Sequence, residues 1–339
     1  MSTSPADPLL RVRNLSTHYV TARGTRVARA VSGVSFDLGA AQTLGIVGES
    51  GSGKSTLVMS LLGLLPAGAQ VVEGEVMFEG RQLRELTGTQ MTQVRGKRMA
   101  MILQDPMASL NPLFTVGEQV AEPLRVHEGM GRAAAKTRAV ELLESVRIPA
   151  APERARQYPH QMSGGMRQRI VGAIGISCEP SLLIADEPTT SLDLTIQAQY
   201  IELLRTIQRE RGLAMIVITH NLGIVARMCD TVAIMYAGQI VESGFVRDIF
   251  DLPAHPYTQA LLESMPRTAT RRSRLQTIDG QPPDPAQLPA GCSFHPRCPK
   301  AMLRCSVEAP PEIDLSAGHK SKCWLLAPGY AQAPSESAA

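Results

Sequence analysis

The chain has 339 residues, 44% of them hydrophobic, which is long enough for one large domain with a smaller companion. Its 34 basic and 31 acidic side chains leave a formal charge of only +3, which argues against nucleic acid as the principal ligand. No apolar run reaches the ~18–20 residues needed to cross a bilayer, and residues 1–8 lack the charged and apolar regions of a signal peptide, so a soluble, cytoplasmic protein is expected.

Residues 9–19 and 31–38 alternate apolar with polar side chains, Val34, Phe36 and Leu38 among them, and predict strands of an antiparallel sheet. Tyr19 is either an ordinary strand tyrosine or an aromatic face for a purine base, a stacking worth about 1–3 kcal/mol in nucleic-acid systems. The apolar run Thr43-Leu44-Gly45-Ile46-Val47 then enters Gly48-Glu49-Ser50-Gly51-Ser52-Gly53-Lys54-Ser55, and Thr56 opens a helix-like stretch. In a strand–loop–helix of this pattern, successive backbone amides and the helix N-terminus converge on phosphate oxygens, so the stretch predicts a nucleoside triphosphate site. Gly48, Gly51 and Gly53 let the backbone wrap closely, Lys54 reaches the β and γ phosphates, and the Ser55 hydroxyl ligates Mg²⁺.

Two short strand-like runs follow, Glu75-Val76-Met77-Phe78 and Met99-Ala100-Met101-Ile102-Leu103, the second stopped by Gln104-Asp105-Pro106. The pattern is helical over residues 115–177, broken by a stretch containing Ser163-Gly164-Gly165. That triplet precedes a helix and offers backbone amides to an anion, a weak signal alone because serine and glycine are ordinary N-cap residues. Next, Ser181-Leu182-Leu183-Ile184-Ala185-Asp186-Glu187-Pro188 reads as a central parallel strand ending in two carboxylates. At that end of an α/β sheet Asp186 is placed to hold Mg²⁺ and Glu187 to polarise the attacking water. The run 214–219 repeats the theme, with His220 facing the γ-phosphate. Residues 232–235 and 239–241 predict a hairpin closing the domain.

Composition shifts after Met265, where the basic stretch 267–274 reads as a solvated linker and Pro282, Pro283, Pro285 and Pro289 mark irregular chain. Cys178 and Cys229 read as isolated buried thiols, whereas Cys292, Cys298, Cys305 and Cys323 are spaced C-x5-C-x6-C-x17-C in a segment too poor in apolar residues for its own core. A reducing compartment disfavours disulfides, which makes a thiolate metal site the main reading, and the paired Cys-x-x-Cys knuckles of zinc ribbons are absent.

Taken in order, the motifs resemble the ATP-binding subunits of ABC transporters over roughly residues 8–250: phosphate loop at 48–55, glutamine loop at Gln104, signature Ser163-Gly164-Gly165-Met166-Arg167-Gln168, Asp186-Glu187, Asp193 and switch His220. His255-Pro256-Tyr257-Thr258 and the cysteine-bearing tail are similar to the C-terminal extension of the oligopeptide/dipeptide importer branch, which also handles nickel. Two positions depart from the common pattern, Met166 for glutamine and Ser191 for alanine, and neither removes a phosphate-contacting group.

The resemblance implies an α/β fold: a P-loop NTPase (RecA-like) core with an antiparallel β subdomain and a helical subdomain at about 105–178, together spanning 1–265, plus a small irregular Cys-rich extension over 266–339. It implies ATP held by Tyr19, Gly48, Ser50, Gly51, Ser52, Gly53, Lys54, Ser55 and Thr56, and Mg²⁺ on Ser55, Gln104 and Asp186. Glu187, His220, Gln104 and Lys54 would be catalytic, with Asp193 in the nucleotide-binding set and Ser163, Gly164 and Gly165 closing on the γ-phosphate of the opposite subunit. A 4Fe–4S cluster on Cys292, Cys298, Cys305 and Cys323 is implied as well, well away from the nucleotide chemistry. The implied function is ATP hydrolysis powering import of peptides or similar small solutes. The implied partners are a second ATPase subunit head to tail, two membrane-spanning permease subunits and an extracytoplasmic solute-binding protein, with the chain peripheral on the cytoplasmic face of the inner membrane. A non-transport ATPase of the same kind, in translation or DNA repair, would usually carry paired ATPase domains or long coiled-coil insertions, and this chain has one set of motifs and no sustained heptads. A P-loop GTPase would carry a guanine-reading Asn-Lys-x-Asp, which is not found.

Overall fold

How the apolar residues are spaced along each strand decides which of two sheets it enters. The computed structural model describes residues 7–20, 26–190, 192–265 and 277–328; Ser191 and the basic stretch 267–274 lie outside them. In chain order the strands are β1 (Leu10–Val20), β2 (Val27–Leu38), β3 (Thr43–Val47), β4 (Ala69–Phe78), β5 (Arg81–Gln82), β6 (Met99–Ile102), β7 (Leu182–Asp186), β8 (Ala214–Thr219), β9 (Thr231–Tyr236), β10 (Gln239–Phe245), β11 (Ile313–Ser316) and β12 (His319–Ser321). Strands β1 and β2 bury only part of their length, and with β4 and β5 they form an antiparallel sheet in the order β2-β1-β4-β5. Strands β3, β7 and β8 are buried at every position and sit inside the larger sheet, β11-β12-β10-β9-β3-β8-β7-β6, whose strands from β9 to β6 run parallel. The run ending at Phe78 belongs to the antiparallel sheet, where Phe78 pairs with Leu10, while Met99–Ile102 is the edge of the parallel one.

The larger sheet separates two cores, and β8 shows how. Ile216 and Ile218 face a layer formed by β1, β2, β4 and the helix Lys54–Leu62, with Leu10, Val34, Leu57 and Leu61. Met215 and Val217 face the opposite way, toward the helices Arg132–Ser145, Gly164–Ile176 and Leu194–Arg211, where Leu142, Ile170, Tyr200 and Leu204 pack. The period-2 alternation of a strand thus serves both layers at once. Local rules start the helices: Thr115 and Glu118 form a reciprocal capping box on Val116–His127, and Asp193 caps Leu194–Arg211.

The C-terminal segment is less separate than its composition predicts. Strand β12 pairs with β10 through Glu242↔Ser321 and Ser243↔Lys320 and carries β11 on its far side, so the β9–β10 hairpin does not close the sheet. Phe294 is 1% exposed and inserts beside Tyr236 and Tyr257, ring centroids 5.2 and 5.3 Å away. Buried Glu242 accepts the amides of Ala254 and His255 at 2.7 and 2.9 Å and bonds His319 Nε2 at 2.9 Å, tying β10, the loop before the helix Pro256–Glu263 and β12 together. A segment with too few apolar residues for a core of its own completes the core of its neighbour instead.

Candidate active site

Strand β3, flanked by β8 and β9, delivers the loop 48–53 to the carboxyl edge of the sheet. The backbone passes so closely there that a Cβ on Gly48 would lie 2.1 Å from the Met235 carbonyl oxygen and one on Gly53 2.2 Å from that of Ala30, so neither position admits a side chain. Gly53, at φ 100, is also the N-cap of Lys54–Leu62; no side chain caps that helix, which leaves its first-turn amides for a ligand. Within the loop Lys54 Nζ donates to the carbonyls of Gly48 and Glu49, each at 2.8 Å, and to Ser52 Oγ at 3.3 Å. Burial lowers the Lys54 pKa, against the pull of Glu187, Asp186 and Glu49.

The structure brings the two strand-end carboxylates to this loop in different states. Asp186 is buried and bonded to the Ser55 hydroxyl, and burial raises its pKa. A desolvated carboxylate beside a hydroxyl is a pair of hard oxygen donors awaiting positive charge, and it fits Mg²⁺. Glu187 is held from three sides: Gln104 Nε2 donates to Oε2 at 2.9 Å, Thr190 Oγ1 to Oε2 at 2.8 Å, and His220 Nδ1 lies 3.2 Å from Oε1. Burial alone would raise its pKa, but the bonds from Thr190 and His220 and the charge of Lys54 outweigh it and keep the carboxylate below the usual range. Its backbone is in the left-handed region at φ 44, pinned by its own amide donating to Ile218 O at 2.9 Å. Tyr19 reaches the same edge, its hydroxyl 3.3 Å from that of Thr56.

Other expected residues stand apart. Ser163 caps Gly164–Ile176, accepting the Met166 amide at 3.3 Å, and Ser163, Gly164 and Gly165 share no hydrogen bond with the loop or with Asp186 and Glu187 among the described residues. Asp193 spends its carboxylate as a helix cap, accepting Thr195 and Ile196 amides at 3.1 and 3.0 Å. Gln104 bonds Glu187 rather than the Ser55–Asp186 pair.

The iron–sulfur expectation is met only in part. Cys292, Cys298, Cys305 and Cys323 do converge, close enough for each of the other three to raise the pKa of Cys323. Among the described residues, however, no group of three or more His, Cys, Asp or Glu is gathered as a metal site. Burial is the first cause that pushes the thiols of Cys292 and Cys298 up, and that of Cys323 to about 11. Cys292 and Cys298 lie partly buried against the cluster around Phe294.

Four residues at this edge escaped the sequence reading. Thr190 orients Glu187, and Glu49, Tyr257 and Arg297 form a chain of contacts from the loop into the C-terminal segment. The signals were present, a carboxylate inside the glycine loop and the motif His255-Pro256-Tyr257-Thr258, but only folding juxtaposes them.

Comparison with known proteins follows the same division. The profile described as ABC transporter matches residues 31–190, and that described as oligopeptide/dipeptide transporter, C-terminal region, matches 241–305. The chain is 48% identical over 320 residues to the dipeptide transport ATP-binding protein DppD of Bacillus subtilis, covering 94% of this chain and 95% of the relative. It is 46% identical over 319 residues to the oligopeptide transport ATP-binding protein OppD of Escherichia coli, covering 94% of each. Among solved structures, the ATP-binding cassette MJ0796 in a dimeric, post-hydrolysis state bound to ADP and Pi superposes with a TM-score of 0.63 at 25% identity, covering 70% of this chain and 99% of that one.

Proposed function

Because this chain belongs to the ATP-binding subunits of ABC transporters, in the oligopeptide/dipeptide branch, we propose that it hydrolyses ATP to power the import of peptides or similar small solutes through a membrane complex. The observation that carries the chemistry is the convergence of Lys54, Ser55, Asp186, Glu187, Gln104 and His220 on the carboxyl edge of one sheet. The loop amides and Lys54 bind the triphosphate. Ser55 and Asp186 hold Mg²⁺, which when bound offsets charge on the phosphates. Glu187, ionised and oriented by Thr190, Gln104 and His220, takes a proton from the water whose oxygen attacks the γ-phosphorus as the bond to ADP breaks.

Ser163, Gly164 and Gly165 form a helix N-terminus, capped by Ser163, that among the described residues shares no hydrogen bond with their own loop, which supports their serving the nucleotide of a second ATPase subunit placed head to tail. The dimeric state of the MJ0796 cassette supports the presence of a second subunit. A site completed across an interface makes hydrolysis depend on closure, and closure moves the helical layer against the permease subunits. Among the described residues no helix is long and apolar enough to cross a membrane, in keeping with a peripheral subunit that acts on two permeases and, through them, on an extracytoplasmic solute-binding protein. In vesicles carrying the whole complex, ATP-dependent peptide uptake is expected and should vanish in Lys54→Ala; hydrolysis without any solute movement would overturn the transport reading in favour of a non-transport ATPase.

The cysteine lobe carries a finer part of the proposal. Four converging thiols support a 4Fe–4S cluster on Cys292, Cys298, Cys305 and Cys323, formed only if they lose their protons and draw together. Metal and acid-labile sulfide analysis of protein prepared without oxygen tests it, and four thiols freely alkylated in the native protein would remove it.

A further inference from the structure

The phosphate loop is not held by its own strand and helix alone. Every polar group of Glu49 has a partner: its amide donates to the Tyr257 hydroxyl at 3.0 Å, its carbonyl accepts from Lys54 Nζ at 2.8 Å, and its carboxylate receives both arms of one guanidinium. That guanidinium is Arg297, from the C-terminal segment, with Nη1 2.8 Å from Oε2 and Nη2 3.1 Å from Oε1. Arg297 is itself anchored: its side chain is 5% exposed, Nε donates to Asp279 O at 2.9 Å, Nη2 to Ile278 O and Nη1 to the Tyr236 hydroxyl at 3.4 Å each, and the group lies over the Tyr236 ring. Burial would lower its pKa, but the bonds to Glu49 and Tyr236 raise it on balance, so the guanidinium keeps its charge.

We propose that Arg297 is a positioning residue for the ATPase reaction: from the C-terminal segment it clamps Glu49 and thereby fixes the loop carbonyls and amides that place Lys54 for the phosphates. The inference rests on the reading of residues 48–55 as the ATP phosphate loop. A bidentate guanidinium–carboxylate pair sets orientation as well as distance, which a surface ion pair does not. It also neutralises a carboxylate that would otherwise face an incoming polyanion. The clamp therefore acts on the affinity for ATP rather than on the proton transfer at Glu187, and it makes the loop sensitive to the fold of a lobe more than 240 residues away in sequence.

The test is titration of Mg·ATP into the full-length chain, with the kcat and KM of hydrolysis in the assembled complex. Arg297→Gln and Glu49→Gln are each expected to weaken ATP binding about tenfold and to raise KM with kcat nearly unchanged, the pattern of lost ground-state binding. The double variant should bind no more weakly than either single one, because both remove the same link, and Arg297→Lys, which keeps the charge but not the paired bonds, should recover part of the loss. Unchanged ATP affinity in both single variants, with only the melting temperature lowered, would overturn the clamp and leave a purely structural ion pair. Should Arg297→Gln fail to fold, Glu49→Gln, whose side chain is 24% exposed and lies outside the C-terminal segment, decides alone. A wild-type chain that bound no Mg·ATP would overturn the nucleotide site itself, a result distinguishable from loss of the clamp.

Discussion

Glu187 condenses the chemistry into one side chain. Its identity as a base is legible in Leu182-Leu183-Ile184-Ala185-Asp186-Glu187, but its ionisation is not, because the groups that keep its proton off come from residues 190, 220 and 54. Glu187→Gln keeps the shape and the neighbours while removing the proton acceptor, so hydrolysis is expected to fall by about 10²–10⁴ while ATP binding persists. A steady-state ATPase assay beside a nucleotide titration checks this, and near-normal turnover would remove Glu187 from its role. Asp193 is a counterpart, since its place in the motif order points to the nucleotide while the folded chain uses its carboxylate to start a helix.

At the level of elements, the helix Pro256–Glu263 shows how a short motif acquires a job. Its N-cap is His255, buried, whose Nδ1 accepts the Tyr257 amide at 3.0 Å while the ring also bonds the backbone of Lys322. Burial drives the His255 pKa down from 6.5 to about 4. Between those values the unfolded chain binds a proton that the folded chain does not, so stability falls as pH drops from about 6.5 toward 4 and is fully lost from this source only below the folded pKa. The loss is about 3 kcal/mol, and it reaches the site because Tyr257, two residues on, holds the Glu49 amide. Melting temperatures measured across this range should fall with acidification in the wild type and fall less in His255→Asn; parallel curves for the two would assign the acid sensitivity elsewhere.

The whole molecule differs most from what its pieces suggest. A proline-rich tail after a complete set of ATPase motifs reads as an appendage, yet Phe294 enters the same cluster as Val47, Tyr236 and Tyr257, directly beneath the phosphate loop. Emptying that position by Phe294→Ala is expected to cost about 3–5 kcal/mol, and a chain ending at residue 265 would also strip β12 from β10 and leave a bare sheet edge. Thermal unfolding of Phe294→Ala and solubility of the truncated chain check this; a truncated chain with wild-type stability would restore the appendage view.

The sequence by itself determined the nucleotide chemistry, because phosphate recognition is local: a buried strand, a loop that must be glycine at 48 and 53, and a helix start lie within some twenty consecutive residues. The alternation of apolar residues likewise made the antiparallel strands readable, and unbroken apolar runs the buried parallel ones. What only the tertiary structure decided is everything that depends on residues distant in the chain meeting in space: that β10 is continued by β12, that Cys292, Cys298, Cys305 and Cys323 converge, and that Arg297 reaches Glu49. These contacts follow from where a core lacks a side chain and where a buried charge lacks its opposite, and neither shortage can be seen until the layers are assembled.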